Sequence, residues 1–212
     1  MSRIALLALV AATACSQRSP WTVASAPAPS APRASTATQQ ANPSHVALAT
    51  AASVPSGDAR AIGNFEFPVA GYDGRPLADS FDDARDGGDR RHNAIDIMAA
   101  RGTPVLSVQD GRVLRLSKSS KGGITVYATD LDERYVFYYA HLDGYHRNLY
   151  DGKVLLRGDT LGYVGTTGNA PENVPHLHFQ LMRMPSDGKY WNGEPINPYP
   201  FLRAVSSASR NQ

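Results

Sequence analysis

The chain has a single cysteine, Cys15, among 212 residues. One thiol excludes an intrachain disulfide. The chain also lacks a run of about 20 apolar residues, the length that crosses a bilayer. Its one apolar stretch, Ile4 to Ala14, is too short. Asp and Glu are missing from the first 57 positions, which hold three arginines, Arg3, Arg18 and Arg33. The remainder carries 18 basic against 19 acidic residues, so the formal net charge of +2 belongs to the N-terminal region. A near-neutral remainder removes the electrostatic case for nucleic acid as a partner. Outside the leader no window sustains a 3.6-residue apolar period, which predicts that any helix is short.

What is present divides the chain. Its length suits one domain with extensions, and a hydrophobic fraction of 42% suffices for a core. Residues 1–14 read as an export signal: a small positive region at Arg3, then the apolar run, then A-T-A before Cys15. The segment A-A-T-A-C resembles a bacterial lipoprotein signal, in which the chain is cut before a cysteine that is then lipidated. The usual leucine three residues before the cysteine is Ala12 here. The alternative is an ordinary signal peptide cut near A-T-A or A-S-A, which leaves Cys15 free or removed. Residues 15–60 are rich in Ala, Ser, Pro and Thr, as in A-P-A-P-S-A-P-R-A-S-T-A-T-Q-Q, and bury too little apolar surface to offset ordering entropy. They are expected to form a disordered tether with an r.m.s. reach of about 35–40 Å.

From residue 61 the composition changes to short β signals with turn punctuation. Thr103–Val108 and Arg112–Ser117 read as strands around an Asp110–Gly111 turn. Ile124–Thr129 and Tyr135–His141 read as a hairpin across L-D-E-R. Val154–Leu156, Thr160–Val164 and His176–Met182 complete the set. The expected fold class is mainly β: a compact antiparallel sheet domain over residues 61–205, with loops forming a groove and a flexible tail at 206–212.

Four of the six histidines fall in a spaced set with one aspartate: His92 and Asp96 in R-H-N-A-I-D, His141 in Y-Y-A-H-L, and His176 and His178 in P-H-L-H-F. In a strand, residues two apart face the same way, so His176 and His178 reach one space while Leu177 and Phe179 face the other. His92 and Asp96, four apart after a glycine-rich loop, suit a turn that brings both to one metal. Zinc takes imidazole nitrogen and carboxylate oxygen, and a catalytic site keeps one position open. Taken singly, H-x-x-x-D is usually a surface pair, H-x-H a polar strand edge, and a lone His141 a satisfied structural histidine. Their occurrence together, in order, with glycine loops between, favours a metal site with a spare acid/base pair.

The segments R-H-N-A-I-D-I-M-A-A-R-G-T-P-V, Y-Y-A-H-L, G-D-T-L-G-Y-V-G-T-T-G-N and P-H-L-H-F resemble the lysostaphin-type (LytM-domain) zinc endopeptidases of bacteria over roughly residues 65–200. The resemblance implies that His92, Asp96 and His178 bind Zn2+, and that His141 and His176 are the catalytic histidines. It implies peptidoglycan as the substrate, cut in a stem cross-link or interpeptide bridge. Two positions depart from the family pattern: Ala94 where glycine is usual, and Gln180 where glutamate is frequent. The lipoprotein-like leader with Ser16 after the cysteine suggests anchoring through Cys15 to the periplasmic side of an outer membrane, which favours diaminopimelate cross-links. The competing expectations are a peptidoglycan-binding or amidase-activating module that does not cut, and a non-catalytic metal-binding protein. The acidic segment from Ala70 to Asp89 reads as a solvated loop.

Overall fold

The computed structural model describes residues 62, 63 and 65–209. The leader, Cys15 and the tether lie outside the described residues, as do residues 210–212. Two strands, β1 (Ala84–Arg85) and β2 (Arg90–Arg91), form a small hairpin. Nine more make one antiparallel sheet: β3 (Ile95–Met98), β4 (Pro104–Leu106), β5 (Gly111–Ser119), β6 (Gly123–Asp130), β7 (Tyr135–Tyr145), β8 (Val154–Leu155), β9 (Thr160–Val164), β10 (His176–Arg183) and β11 (Glu194–Ile196). Its main path runs β11-β10-β7-β6-β5-β8. β3 adds to β10, and β9 bridges β7 to β4. The mainly β, antiparallel fold expected from the turn-punctuated short strands is what forms.

Register sets two faces. His178 lies opposite Asp96 on β3 and Ala140 on β7, while Gln180 lies opposite Tyr138 and Tyr138 opposite Tyr127. These residues share the polar face. The alternate residues share the other: Leu177 with Ile97, Phe179 with Ile95 and Tyr139, and Leu181 with Phe137. All of the latter are buried, and they form the core. Phe65 packs edge-on against Phe137 and Phe179 and lies 5.9 Å from Phe201. The segment through Phe65 and the C-terminal helix therefore cover the apolar face and leave the histidine face open.

The structure departs from the sequence expectations in three places. β3 is a strand where a turn was expected, so Asp96 reaches the site by cross-strand register with His178 rather than by local folding. Helix α1 (Tyr199–Ser209) runs into the stretch read as a flexible tail, and Ser206 is buried in it. Tyr199, Phe201, Leu202 and Val205 pack on the core, an apolar face too short to raise a sustained periodic signal. β4 pairs with β9, not with β5 across the Asp110–Gly111 turn. Among the described residues no helix is long and apolar enough to cross a membrane.

Candidate active site

Three side-chain atoms converge on the polar face. His92 Nε2, Asp96 Oδ1 and His178 Nδ1 form a triangle with all three edges at 3.1 Å. A tetrahedral zinc with bonds of about 2.0–2.1 Å separates its ligands by about 3.3 Å. Two imidazole nitrogens and one carboxylate oxygen, already at that spacing, therefore fit such a metal. They are the candidate metal-binding cluster among the described residues.

Two of the three donors, His92 and Asp96, are oriented from behind. His92 Nδ1 donates to the Ser80 carbonyl at 2.9 Å, which leaves its Nε2 lone pair in the triangle. Arg85 Nη2 donates to Asp96 Oδ2 at 2.9 Å and holds the carboxylate with Oδ1 inward. The Ser80 hydroxyl accepts from the Asp96 backbone N–H. Such outer partners fix ring tautomer and carboxylate rotation. Burial opposes the Asp96 charge, but the adjoining His178 and His92 rings outweigh it and hold the carboxyl well below the usual range. Burial depresses His178 against the pull of Asp96.

His141 and His176 stand beside the triangle, with ring centroids 4.9 Å apart. His176 Nε2 is 3.9 Å from Asp96 Oδ1, and His176 Nδ1 donates to the Val174 carbonyl at 2.8 Å. His141 Nδ1 donates to the Thr167 carbonyl at 2.8 Å. A carbonyl can only accept, so both rings carry their proton on Nδ1 when neutral and present an Nε2 lone pair. Burial, with His178 and His176 close by, pushes His141 down to about 4 against the favourable Thr167 contact.

His141 reaches this position through a backbone irregularity. Tyr139 faces the core and Ala140 the groove, so regular alternation would turn His141 toward the core. Two steps on β6, Ile124 to Val126, face three on β7, Tyr139 to Leu142. The extra residue is a bulge, and His141 takes it with φ of 62°. A non-glycine residue in that region costs of order 1–3 kcal/mol and persists where its surroundings over-determine it. Here the His141 N–H donates to the Gly122 carbonyl at 2.8 Å, and the Thr167 hydroxyl donates to the Leu142 carbonyl at 2.7 Å. The same hydroxyl accepts from the Ile124 N–H at 2.9 Å. Gly168 closes the clamp: at φ of 79°, a Cβ there would lie 2.3 Å from Gly123 N and Lys121 O.

The five residues singled out in the sequence are thus brought together. Four supporting residues had no separate signal: Ser80, Arg85, Thr167 and Val174. Ser80 and Arg85 sit in the segment read as a solvated acidic loop; its Asp79, Asp82, Asp83 and Asp89 are exposed, but the segment also builds the back of the site. A cleft of about 300 Å3 lies over the triangle, lined by Arg85, Met98, Asn169, Val174 and the five site residues. A second arm of about 330 Å3 continues past His141 and His178 to Tyr127, Tyr138, Lys121 and Gln180. Another cavity of about 350 Å3, lined in part by Asp110, Asp130 and Arg157, contains none of these histidines.

This donor set, on the open face of an antiparallel sheet, is a candidate mononuclear metal site in a groove. The model of Peptidase family M23 matches residues 90–198, just over half of the chain, and the chain belongs to this family. It is 31% identical over 150 residues to an L-Ala--D-Glu endopeptidase of Bacillus subtilis, covering 68% of this chain and 44% of that protein. It is 31% identical over 93 residues to the peptidoglycan DD-endopeptidase ShyC of Vibrio cholerae, covering 44% and 20% respectively. The chain spans less than half the length of these curated relatives. Among solved structures, one from Ruminococcus gnavus, proposed to be a glycyl-glycine endopeptidase of the LytM type, superposes with a TM-score of 0.59 at 32% identity. It covers 71% of this chain and 64% of that one.

Proposed function

We propose that this chain is a zinc-dependent endopeptidase that hydrolyses peptide bonds in peptidoglycan cross-links. The observation that carries this reading is the 3.1 Å triangle of His92, Asp96 and His178, with two further imidazoles presenting Nε2 lone pairs beside it. The endopeptidase names of the relatives agree with it. Zinc, when bound by His92, Asp96 and His178, supplies Lewis acidity and lowers the pKa of its water toward 7.

The chain's own residues do the rest. His141, kept neutral at neutral pH, is a proton acceptor with its free nitrogen turned to the groove. His176 is fixed in the same tautomer. With Nδ1–H tied to a carbonyl, neither neutral ring can donate from Nε2. Whichever ring takes the water proton becomes the donor that stabilises the developing oxyanion or protonates the leaving amine. The two rings, 4.9 Å apart, form one proton-handling pair. Arg85 holds Asp96 with Oδ1 turned inward, and the cleft over the triangle with its second arm suits an extended peptide.

The leader extends the proposal to location: an exported enzyme of the cell envelope, held by a lipid on Cys15 at the periplasmic side of an outer membrane. Such an enzyme would meet diaminopimelate cross-links. The test is incubation of the chain with purified peptidoglycan, with and without a chelator, and identification of fragments by mass spectrometry. New amino termini that disappear with chelator are expected. Co-sedimentation without fragments would replace the reading with a non-cutting binder. His178→Ala should lose both zinc and cleavage, whereas His141→Ala should keep zinc and lose cleavage.

A further inference from the structure

A line of aromatic rings leaves the site along the groove's second arm. Tyr138 meets His178 edge-on with centroids 6.1 Å apart, and Tyr127 lies 4.5 Å from Tyr138. Tyr190 lies 5.1 Å from Tyr127, and Trp191 stands perpendicular to Tyr190 at 5.0 Å. The outer pair sits on a one-turn 3-10 segment, Tyr190–Asn192, between β10 and β11. Trp191 is 59% exposed, the most open end of the series. An indole left in water contributes nothing to the core, and ring contacts through Tyr190 join it to Tyr127 and Tyr138, which line the groove's second arm.

The chemistry of the surroundings selects the kind of ligand. Lys189 pairs with Asp187 at 3.0 Å and Arg183 with Glu194 at 3.7 Å, so the charges flanking the turn are matched locally. The exposed ring therefore presents an electrically neutral face, which suits neither a phosphate backbone nor an anionic lipid. A pyranose fits it: its axial C–H bonds lie against the electron-rich face of an aromatic ring while its hydroxyls stay in water. In peptidoglycan the cut peptide hangs from a glycan strand, a few extended residues away, and the ring contacts lead outward from His178 in successive steps of 4.5–6.1 Å.

We propose that Trp191, backed by Tyr190, is a saccharide platform that seats the neutral glycan strand while the attached peptide lies in the groove. This rests on the peptidoglycan endopeptidase reading for its substrate. The experiment has two arms. In the first, the full chain and its Trp191→Ala and Trp191→Phe variants are assayed on intact peptidoglycan and on a sugar-free cross-linked stem peptide. Trp191→Ala should raise KM on intact peptidoglycan about tenfold, leave kcat and zinc content unchanged, and leave the sugar-free peptide reaction unaffected. Trp191→Phe should recover most of the loss. Equal losses on both substrates, or none on either, would overturn the platform. In the second arm, an N-acetylglucosamine tetramer is titrated against Trp191 fluorescence in a Trp21→Phe background. A saturable shift is expected, and no shift would overturn the proposal. If the wild-type chain cuts neither substrate, the endopeptidase reading fails, and the titration still decides the platform.

Discussion

Replacing Thr167 with valine removes one hydroxyl at nearly constant shape and tests whether the bulge at His141 is held by its neighbours. In the structure that hydroxyl satisfies the Ile124 N–H at 2.9 Å and donates to the Leu142 carbonyl at 2.7 Å. Ile124 is where β6 loses register with β7, so its N–H has no ladder partner to fall back on. An unsatisfied buried backbone group costs about 1–3 kcal/mol. Thr167 is half-buried and water can reach part of the gap, so the loss of stability should be about 2 kcal/mol. The larger effect is on geometry. The Thr167 carbonyl fixes the His141 ring, and His141 sits at φ of 62° only while that loop is in place. A misplacement of about 1 Å in a reacting group lowers turnover by about 10²-fold. Thr167→Val should therefore reduce kcat by about 10- to 100-fold with KM and zinc content unchanged, while Thr167→Ser, which keeps the hydroxyl, should restore most of it. Urea denaturation gives the stability change, steady-state kinetics the split between kcat and KM, and nitrogen-15 NMR the His141 tautomer. A Thr167→Val variant that loses 2 kcal/mol yet keeps full kcat and a single Nδ1–H tautomer would refute the clamp.

Further outcomes follow from other contacts. Arg85→Ala frees Asp96 Oδ2 and should weaken zinc binding by about 10- to 100-fold in a competition assay with a chromogenic chelator; unchanged affinity would show that Arg85 does not orient the ligand. Gly168→Ala forces a Cβ to within 2.3 Å of Gly123 N at a positive φ, so it should destabilise the domain by more than about 2 kcal/mol, read as a lowered denaturation midpoint. In the metal-free domain, His141 has a folded pKa of about 4 against an ordinary 6.5. The unfolded chain then takes up the proton first, so this ring's contribution is complete above 6.5 and is lost as pH falls toward 4. A His141→Gln variant should show a shallower fall in Tm over that window, and an identical fall would contradict the assignment.

How much of this was readable from the residues depends on the range of each contact. His176 and His178 could be placed on one face from their spacing alone, because alternation in a strand is local, and Leu177 and Phe179 duly fill the core behind them. The β6–β7 hairpin was equally legible from its turn. Asp96 was assigned to the right cluster through the wrong local structure, since its strand exists only by pairing with β10, more than 80 residues later in sequence. Helix α1 escaped notice because only a short apolar face touches the core. Arg85 and Ser80 are common residue types in loops, and nothing marks them until the fold brings them behind the histidines; Thr167 lies in the G-T-T-G-N stretch, but its hold on His141 appears only in the fold.

The sequence by itself determined which side chains can carry the chemistry, because donor atoms and their order along the chain are covalent facts. The direction in which His141 points was decided only by tertiary structure. Its strand pattern would send it into the core, and a bulge, closed by glycines with no room for a Cβ and locked by the Thr167 clamp, turns it into the groove. Such a left-handed turn is unfavourable locally, so it exists only where distant segments pack against it and supply the hydrogen bonds that hold it.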